Sequence, residues 1–225
     1  MSRKLIALSI GALLLGPAAA RADIMTGSFT GTMTAGTDED NLFGLGDDSD
    51  LTGDAVTGTF VYDTTLFSAG APVGGTVQYT GTATGALTVT LTINGVTYTF
   101  QDRANSSIYL DPSSTSEVTL VANDSATNVS ATFELDVALP DTPFVTSNSL
   151  TGTYNATALG DSIIQNSEFQ IINSDPTEVV SDGAFNINSI SVQQQSQAMP
   201  EPASVGLLMV GMAGIAGIRR RRVKG

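Results

Sequence analysis

Leu87-Thr88-Val89-Thr90-Leu91-Thr92-Ile93, then Asn94-Gly95, then Val96-Thr97-Tyr98-Thr99-Phe100 is the stretch that decides the fold. Two alternating runs flank Asn-Gly, and a two-residue type I′ turn needs positive φ at both of its central positions. The loop length sets the register. Ile93 opposes Val96, Leu91 opposes Tyr98 and Val89 opposes Phe100 on one face, while Thr92–Thr97 and Thr90–Thr99 line the other. An apolar face backed by a hydroxyl face is the signature of an antiparallel sheet with one side in the core and one in water.

The same period-two pattern marks Ser28–Thr34, Val56–Tyr62, Thr76–Thr84, Glu117–Val121, Val129–Val137, Leu150–Ala156, Glu168–Ile172 and Ala184–Val192. With the hairpin these make roughly ten strands punctuated by Gly, Asn, Asp and Pro, the pattern of an all-β, antiparallel two-sheet β-sandwich or jelly roll. Thr-rich outer faces suit strands because a β-branched side chain fits the pleat. No stretch of the domain has the periodicity of a long amphipathic helix, and no fixed-period repeat suggests a solenoid.

Both ends of the 225-residue chain read as targeting segments rather than fold. Arg3 and Lys4 precede an apolar run from Leu5 to Leu15, Gly16-Pro17 break it, and Ala20-Arg21-Ala22 places small residues where signal peptidase reads. The run is too short to span a bilayer core of roughly 30 Å, so a signal helix cut between Ala22 and Asp23 is expected. The organisation that follows is 1–22 signal peptide, 23–192 β-sandwich domain, 193–199 polar linker and 200–225 sorting and anchor segment.

Charge is partitioned sharply. Of nine Lys and Arg, only Arg103 lies in the domain, whereas of 22 Asp and Glu only Glu201 lies outside it, so the domain carries about −20. Such a surface repels phosphate backbones and excludes nucleic acid as a partner. The absence of Cys and His removes thiolate and imidazole metal ligands, Ser-His-Asp triads and Cys nucleophiles, and the domain has no Lys for a Ser–Lys dyad. No Gly-rich phosphate loop precedes a helix.

Two hard-oxygen chemistries survive. Glu134-Leu135-Asp136-Val137-Ala138 resembles the start of the catalytic strand of laminarinase-type jelly rolls, but Leu139 stands where the second Glu belongs and the chain has no Trp to stack on sugar. No enzyme is expected. The segment Thr37–Asp54 reads as an exposed acidic loop in which Asp48, Asp50 and Asp54 stand at near-alternating positions around Gly53, a candidate calcium site. Its twelfth position is Thr59 rather than a bidentate Glu, and a solvated loop is the plainer expectation. No other cofactor is implied. Asn105, Asn123, Asn128 and Asn155 head Asn-x-Ser/Thr triplets at a frequency chance accounts for in so Thr-rich a chain, and Leu139–Pro143 reads as a loop.

At the C-terminus, Met199-Pro200-Glu201-Pro202-Ala203-Ser204 leads into an apolar run to Ile218 and then Arg219, Arg220, Arg221, Arg222 and Lys224. As a helix the run from Ala203 is about 24 Å long, enough for a single transmembrane helix if the flanking Arg side chains snorkel. The Arg cluster keeps that end cytoplasmic and puts the domain outside the inner membrane. This three-part tail, with Pro200, Glu201 and Pro202 first, resembles the PEP-CTERM sorting signal of Gram-negative bacteria. Val56–Asp63 is similar to a stretch near the start of many β-domains that carry it.

The resemblance implies exosortase as a processing partner alongside signal peptidase, with the inner membrane as an intermediate station and the cell surface or medium as destination. It implies a non-catalytic surface or extracellular-matrix protein in an exopolysaccharide or biofilm setting, with extracellular polysaccharide as a contact. The runner-up is a calcium-assisted carbohydrate-binding or adhesion module.

Overall fold

A computed structural model describes residues 23–101, 105–113, 116–126, 129–139, 143–157, 167–173 and 179–195. The expected signal helix, the cleavage residues Ala20 and Ala22, the transmembrane helix and the sorting residues lie outside these. Among the described residues no helix is long and apolar enough to cross a membrane.

Among these residues thirteen strands form the sheet: β1 (Ile24–Asp38), β2 (Ser49–Asp50), β3 (Ala55–Asp63), β4 (Phe67–Ala69), β5 (Val77–Gly81), β6 (Leu87–Ile93), β7 (Val96–Gln101), β8 (Ser107–Asp111), β9 (Glu117–Ala126), β10 (Val129–Ala138), β11 (Tyr154–Thr157), β12 (Ser167–Asn173) and β13 (Val179–Gln194). The Asn-Gly hairpin folds in the expected register, with Ile93 opposite Val96, Leu91 opposite Tyr98 and Val89 opposite Phe100. Asn94 and Gly95 take φ of 49° and 77°, the two positive values a type I′ turn demands. Val96, at the tip of the apolar face, is the exception in burial and stays exposed.

The arrangement of the strands departs from a two-sheet sandwich. Every pairing is antiparallel, and hydrogen bonds link the strands into one sheet of order β4-β5-β8-β9-β10-β12-β13-β1-β3-β6-β7, with β11 on β13 and β2 on β1. The sheet is continuous because its two central strands are too long to belong to one layer. β1 runs 15 residues and β13 runs 16. They pair along nearly their whole length, with register shifts between Thr30 and Gly31 and between Met33 and Ala35. Bulges bend the bulged strand and add right-handed twist, so the sheet turns a corner without breaking. β13 accordingly changes neighbours, holding β12 against its first half and β11 against its second.

Curling brings distant strands into contact. Phe100 on β7 lies 5.3 Å from Phe133 on β10, centroid to centroid, although five strands separate them in the sheet order. Phe29 on β1 and Phe185 on β13 complete the cluster at 5.8 Å and 6.0 Å from Phe133. All four rings are buried. Strand β8, which no alternation in the sequence marked, closes the far side of this core with Ile108 and Leu110. Leu150, expected on a strand, is instead in a turn, where its carbonyl accepts the buried Tyr62 hydroxyl at 2.9 Å.

The acidic segment is more structured than a solvated loop. Phe43 and Leu51 are fully buried, and β2 pairs with the end of β1. Asp38 is itself buried, its Oδ1 accepting from Leu42 N at 2.7 Å and its Oδ2 from Phe43 N at 2.8 Å. A carboxylate that satisfies two backbone donors is a structural clamp. Asp38→Ala is expected to cost about 2 kcal/mol in urea unfolding by stranding those donors, and Asp38→Asn about half of that. An Asp38→Ala midpoint equal to the parent's would show that the loop is held by its apolar side chains alone.

Candidate functional site

The outer face of the sheet divides into an acidic half and an uncharged half. On the acidic half, Glu134 on β10 stands directly opposite Glu168 on β12, and Thr132 opposite Gln170. Gln170 in turn faces Asp182 on β13. Thr119 on β9 donates to Glu117 Oε1 and Asp136 Oδ1, each at 3.2 Å. Thr132, Glu168, Gln170 and Asp182 line a cavity of about 320 Å³ together with Gly36 and Gly183.

Partial burial raises the Glu134 carboxyl above its usual range, and the neighbouring Asp136 and Glu168 charges add to the rise. Glu168 is the second carboxylate that sequence reasoning did not find beside Glu134. It sits thirty-four residues on along the chain, and only strand pairing joins them. Because Glu134 binds its proton more tightly folded than unfolded, stability at this position is present at acid pH and lost as pH rises through the folded pKa. Glu134→Gln is therefore expected to raise stability at pH 7 by about 0.5 kcal/mol after solvent screening, and to flatten that acid-side gain. Thermal melts of the two proteins across pH 4–8 check both, and a destabilised Gln variant would mean the carboxylate is held by a favourable partner.

The uncharged half is built from hydroxyls. One row crosses six strands as Asn155, Ser191, Ser28, Thr59, Thr90 and Thr99, and the next as Thr157, Ser189, Thr30, Thr57, Thr92 and Thr97. Side chains pair within the rows: Ser28 with Ser191 at 3.0 Å, and Thr30 with Ser189, Thr59 with Thr90 and Thr92 with Thr97 at 2.7 Å. No position in either row carries a charge, in a domain of about −20. Each Thr but Thr157, which lies one residue beyond the expected Leu150–Ala156 strand, was legible on its own strand; the rows needed the register.

Asp48, Asp50 and Asp54 lie around β2. Asp48 takes a positive φ of 59°. Asp50 accepts from Thr52 N at 2.9 Å, and hydrogen bonds from Thr52 hold its carboxyl below the usual range. Asp54 Oδ2 is enclosed without a hydrogen-bond partner. Among the described residues no three acidic side chains are grouped so that they could hold a metal ion.

The two ends of the sheet unit meet. Asp23, the expected first residue after signal cleavage, accepts from Gln194 Nε2 at 3.0 Å, and Gln195 N donates to the Ile24 carbonyl at 2.8 Å. Strand β13 thus runs through Gln193 and Gln194, past the expected start of the polar linker at 193. β13 ends at Gln194, six residues before Pro200 in the sequence; Pro200, Glu201 and Pro202, with Arg219, Arg220, Arg221 and Arg222, lie outside the described residues. No curated protein and no solved structure shows significant similarity to the chain. A family model described as the PEP-CTERM protein-sorting motif does match, over residues 200–222. That span contains the Pro-Glu-Pro triplet, the apolar run and the four arginines read from the sequence, and the chain therefore carries a PEP-CTERM sorting motif, which implies an exported protein with exosortase as its processing partner.

Proposed function

We propose that this is a non-catalytic cell-surface or extracellular-matrix protein of a Gram-negative bacterium, cut by signal peptidase before Asp23 and by exosortase near Pro200. It passes through an inner-membrane-anchored intermediate and works in contact with exopolysaccharide. The observation that carries the sorting part is the PEP-CTERM match at residues 200–222, which begins six residues after Gln194, the end of the last strand in the chain. The contact part is supported by the two hydroxyl rows, whose uncharged, hydrogen-bonding surface suits a hydrated neutral polymer. The lack of His and Cys, and of Lys in the domain, supports a non-catalytic role.

The test is intact mass and terminal sequencing of the protein from cell envelope and from medium, with and without exosortase. A form running from Asp23 to near Pro200 that requires exosortase is the expected result. A tail still present in the inner membrane of exosortase-positive cells would overturn the proposal. The calcium-assisted binding module is the second reading, favoured only by the enclosed, unpartnered Asp54 Oδ2. It requires a melting temperature that rises with millimolar calcium and retention on the producer's polysaccharide that EDTA abolishes.

A further inference from the structure

Among the described residues the sheet ends on one side in β4, three residues long, and on the other in β7, six residues of Val-Thr-Tyr-Thr-Phe-Gln. Natural edge strands are protected from pairing by shortness, charge, Pro or bulges. β4 is short. β7 has none of these devices: it carries no charge, no Pro and no Gly, and its register against β6 is unbroken.

The turn dictates which backbone groups are free. In a two-residue hairpin the residues flanking the turn form a hydrogen-bonded pair, and such pairs alternate along the ladder. Val96, Tyr98 and Phe100 therefore bond to β6, while Thr97, Thr99 and Gln101 direct N–H and C=O outward. Gln101 N is met by Asp124 Oδ2 at 3.2 Å. Thr97 and Thr99 are exposed.

We infer that the β7 edge pairs with the β7 edge of a second copy of this chain, antiparallel, about a two-fold axis at Tyr98. The strand is self-complementary in that register. Thr97 faces the partner's Thr99 and Thr99 faces the partner's Thr97, both as hydrogen-bonded pairs, so the outward groups of both residues are satisfied twice over by symmetry. Val96 comes opposite the partner's Phe100. Charge selects the place as well as the geometry. Two copies of about −20 repel over most of their surface, whereas β7 carries no charged residue of its own, adjoins the uncharged rows and has the Asp124 carboxylate only at its Gln101 end, engaged with Gln101 N. Pairing would carry those rows from one copy into the next.

Tyr98 meets the partner's Tyr98 as a non-hydrogen-bonded pair, in which Cα atoms approach to about 4.5 Å, within disulfide range. The chain has no cysteine of its own, so Tyr98→Cys in the full-length chain, held in mild detergent and oxidised with copper phenanthroline, reports the axis on a non-reducing gel. Most of the chain should run as a covalent dimer, and the yield should rise from about 0.05 M to about 0.5 M salt as the like charges are screened. Thr97→Cys, set one step off the axis, should link at least about fivefold more slowly. Adding Thr99→Pro to Tyr98→Cys removes one outward N–H without touching a bond to β6, and should reduce linking to background.

A Tyr98→Cys chain that stays monomeric, equal rates at 97 and 98, or indifference to Thr99→Pro would each overturn the inference. If circular dichroism shows Tyr98→Cys misfolded, the Thr97→Cys, Thr99→Cys double variant gives the same readout from the exposed face. It should dimerise through 97–99 links, and its failure to do so overturns the inference equally.

Discussion

Gly58→Ala is expected to cost about 3 kcal/mol and to lower the melting temperature by about 9 °C, although it adds one methyl group to a strand. A Cβ at Gly58 would stand 2.2 Å from the Phe29 ring and 2.4 Å from the Thr90 carbonyl oxygen. The ring can tilt; the carbonyl belongs to the neighbouring strand and cannot. Phe29 lies across Gly58 because the two are cross-strand partners, and Phe60 lies across Gly27 in the same way, the ideal Cβ there meeting the ring at 2.1 Å. Glycine on each strand makes the space that lets an aromatic ring on the other lie flat in the core.

Thr57→Ala, one residue away on the exposed face, should stay within about 0.5 kcal/mol. Combining Gly58→Ala with Phe29→Leu should recover part of the loss, since the two changes share one volume. Urea unfolding of the four proteins reads all of this. A Gly58→Ala protein within about 1 kcal/mol of its parent would mean that the ring and β6 yield more easily than a packed core allows.

The second large effect is at Phe133. Phe133→Ala should cost about 4 kcal/mol, a large share of the 5–15 kcal/mol that holds an ordinary domain folded. Its ring touches Phe29, Phe100 and Phe185, which stand on β1, β7 and β13. Removing it takes away the contact that holds the β6–β7 end of the curled sheet over β10. Native-state hydrogen exchange should accelerate more in β6 and β7 than in the β1–β13 centre, because among the described residues β7 is laddered on one side only, whereas β1 and β13 are laddered on both. Equal acceleration everywhere would show that the sheet's curvature is set by the bulges in β1 and β13 without help from the aromatic cluster.

Local features were open to sequence reasoning wherever one strand or one turn contained them. Asn94-Gly95 determined its own turn type and, through it, the register of β6 on β7, because loop length leaves one pairing. Alternation marked most of the long strands, though β1 and β13 extend well beyond the alternating cores at Ser28–Thr34 and Ala184–Val192. β8 was missed because Ser107–Asp111 is short and follows no turn signal strong enough to set it apart. Asp38 was placed with the other loop acids because its burial depends on Phe43 and Leu51 folding back over β1, which no local pattern announces.

The sequence by itself determined the sorting motif at residues 200–222, the antiparallel all-β class, and the segregation of charge that leaves Arg103 as the one basic residue of the domain. These are properties of composition and of residues adjacent in the chain. Only the tertiary structure decided that the strands form one curled sheet, that Glu134 faces Glu168, that the threonines line up in rows, and that β7 comes last in the strand order among the described residues. Each of these depends on which strand lies beside which. Pairing between segments far apart in sequence is chosen by the packing of the whole core, so no window of the chain contains it.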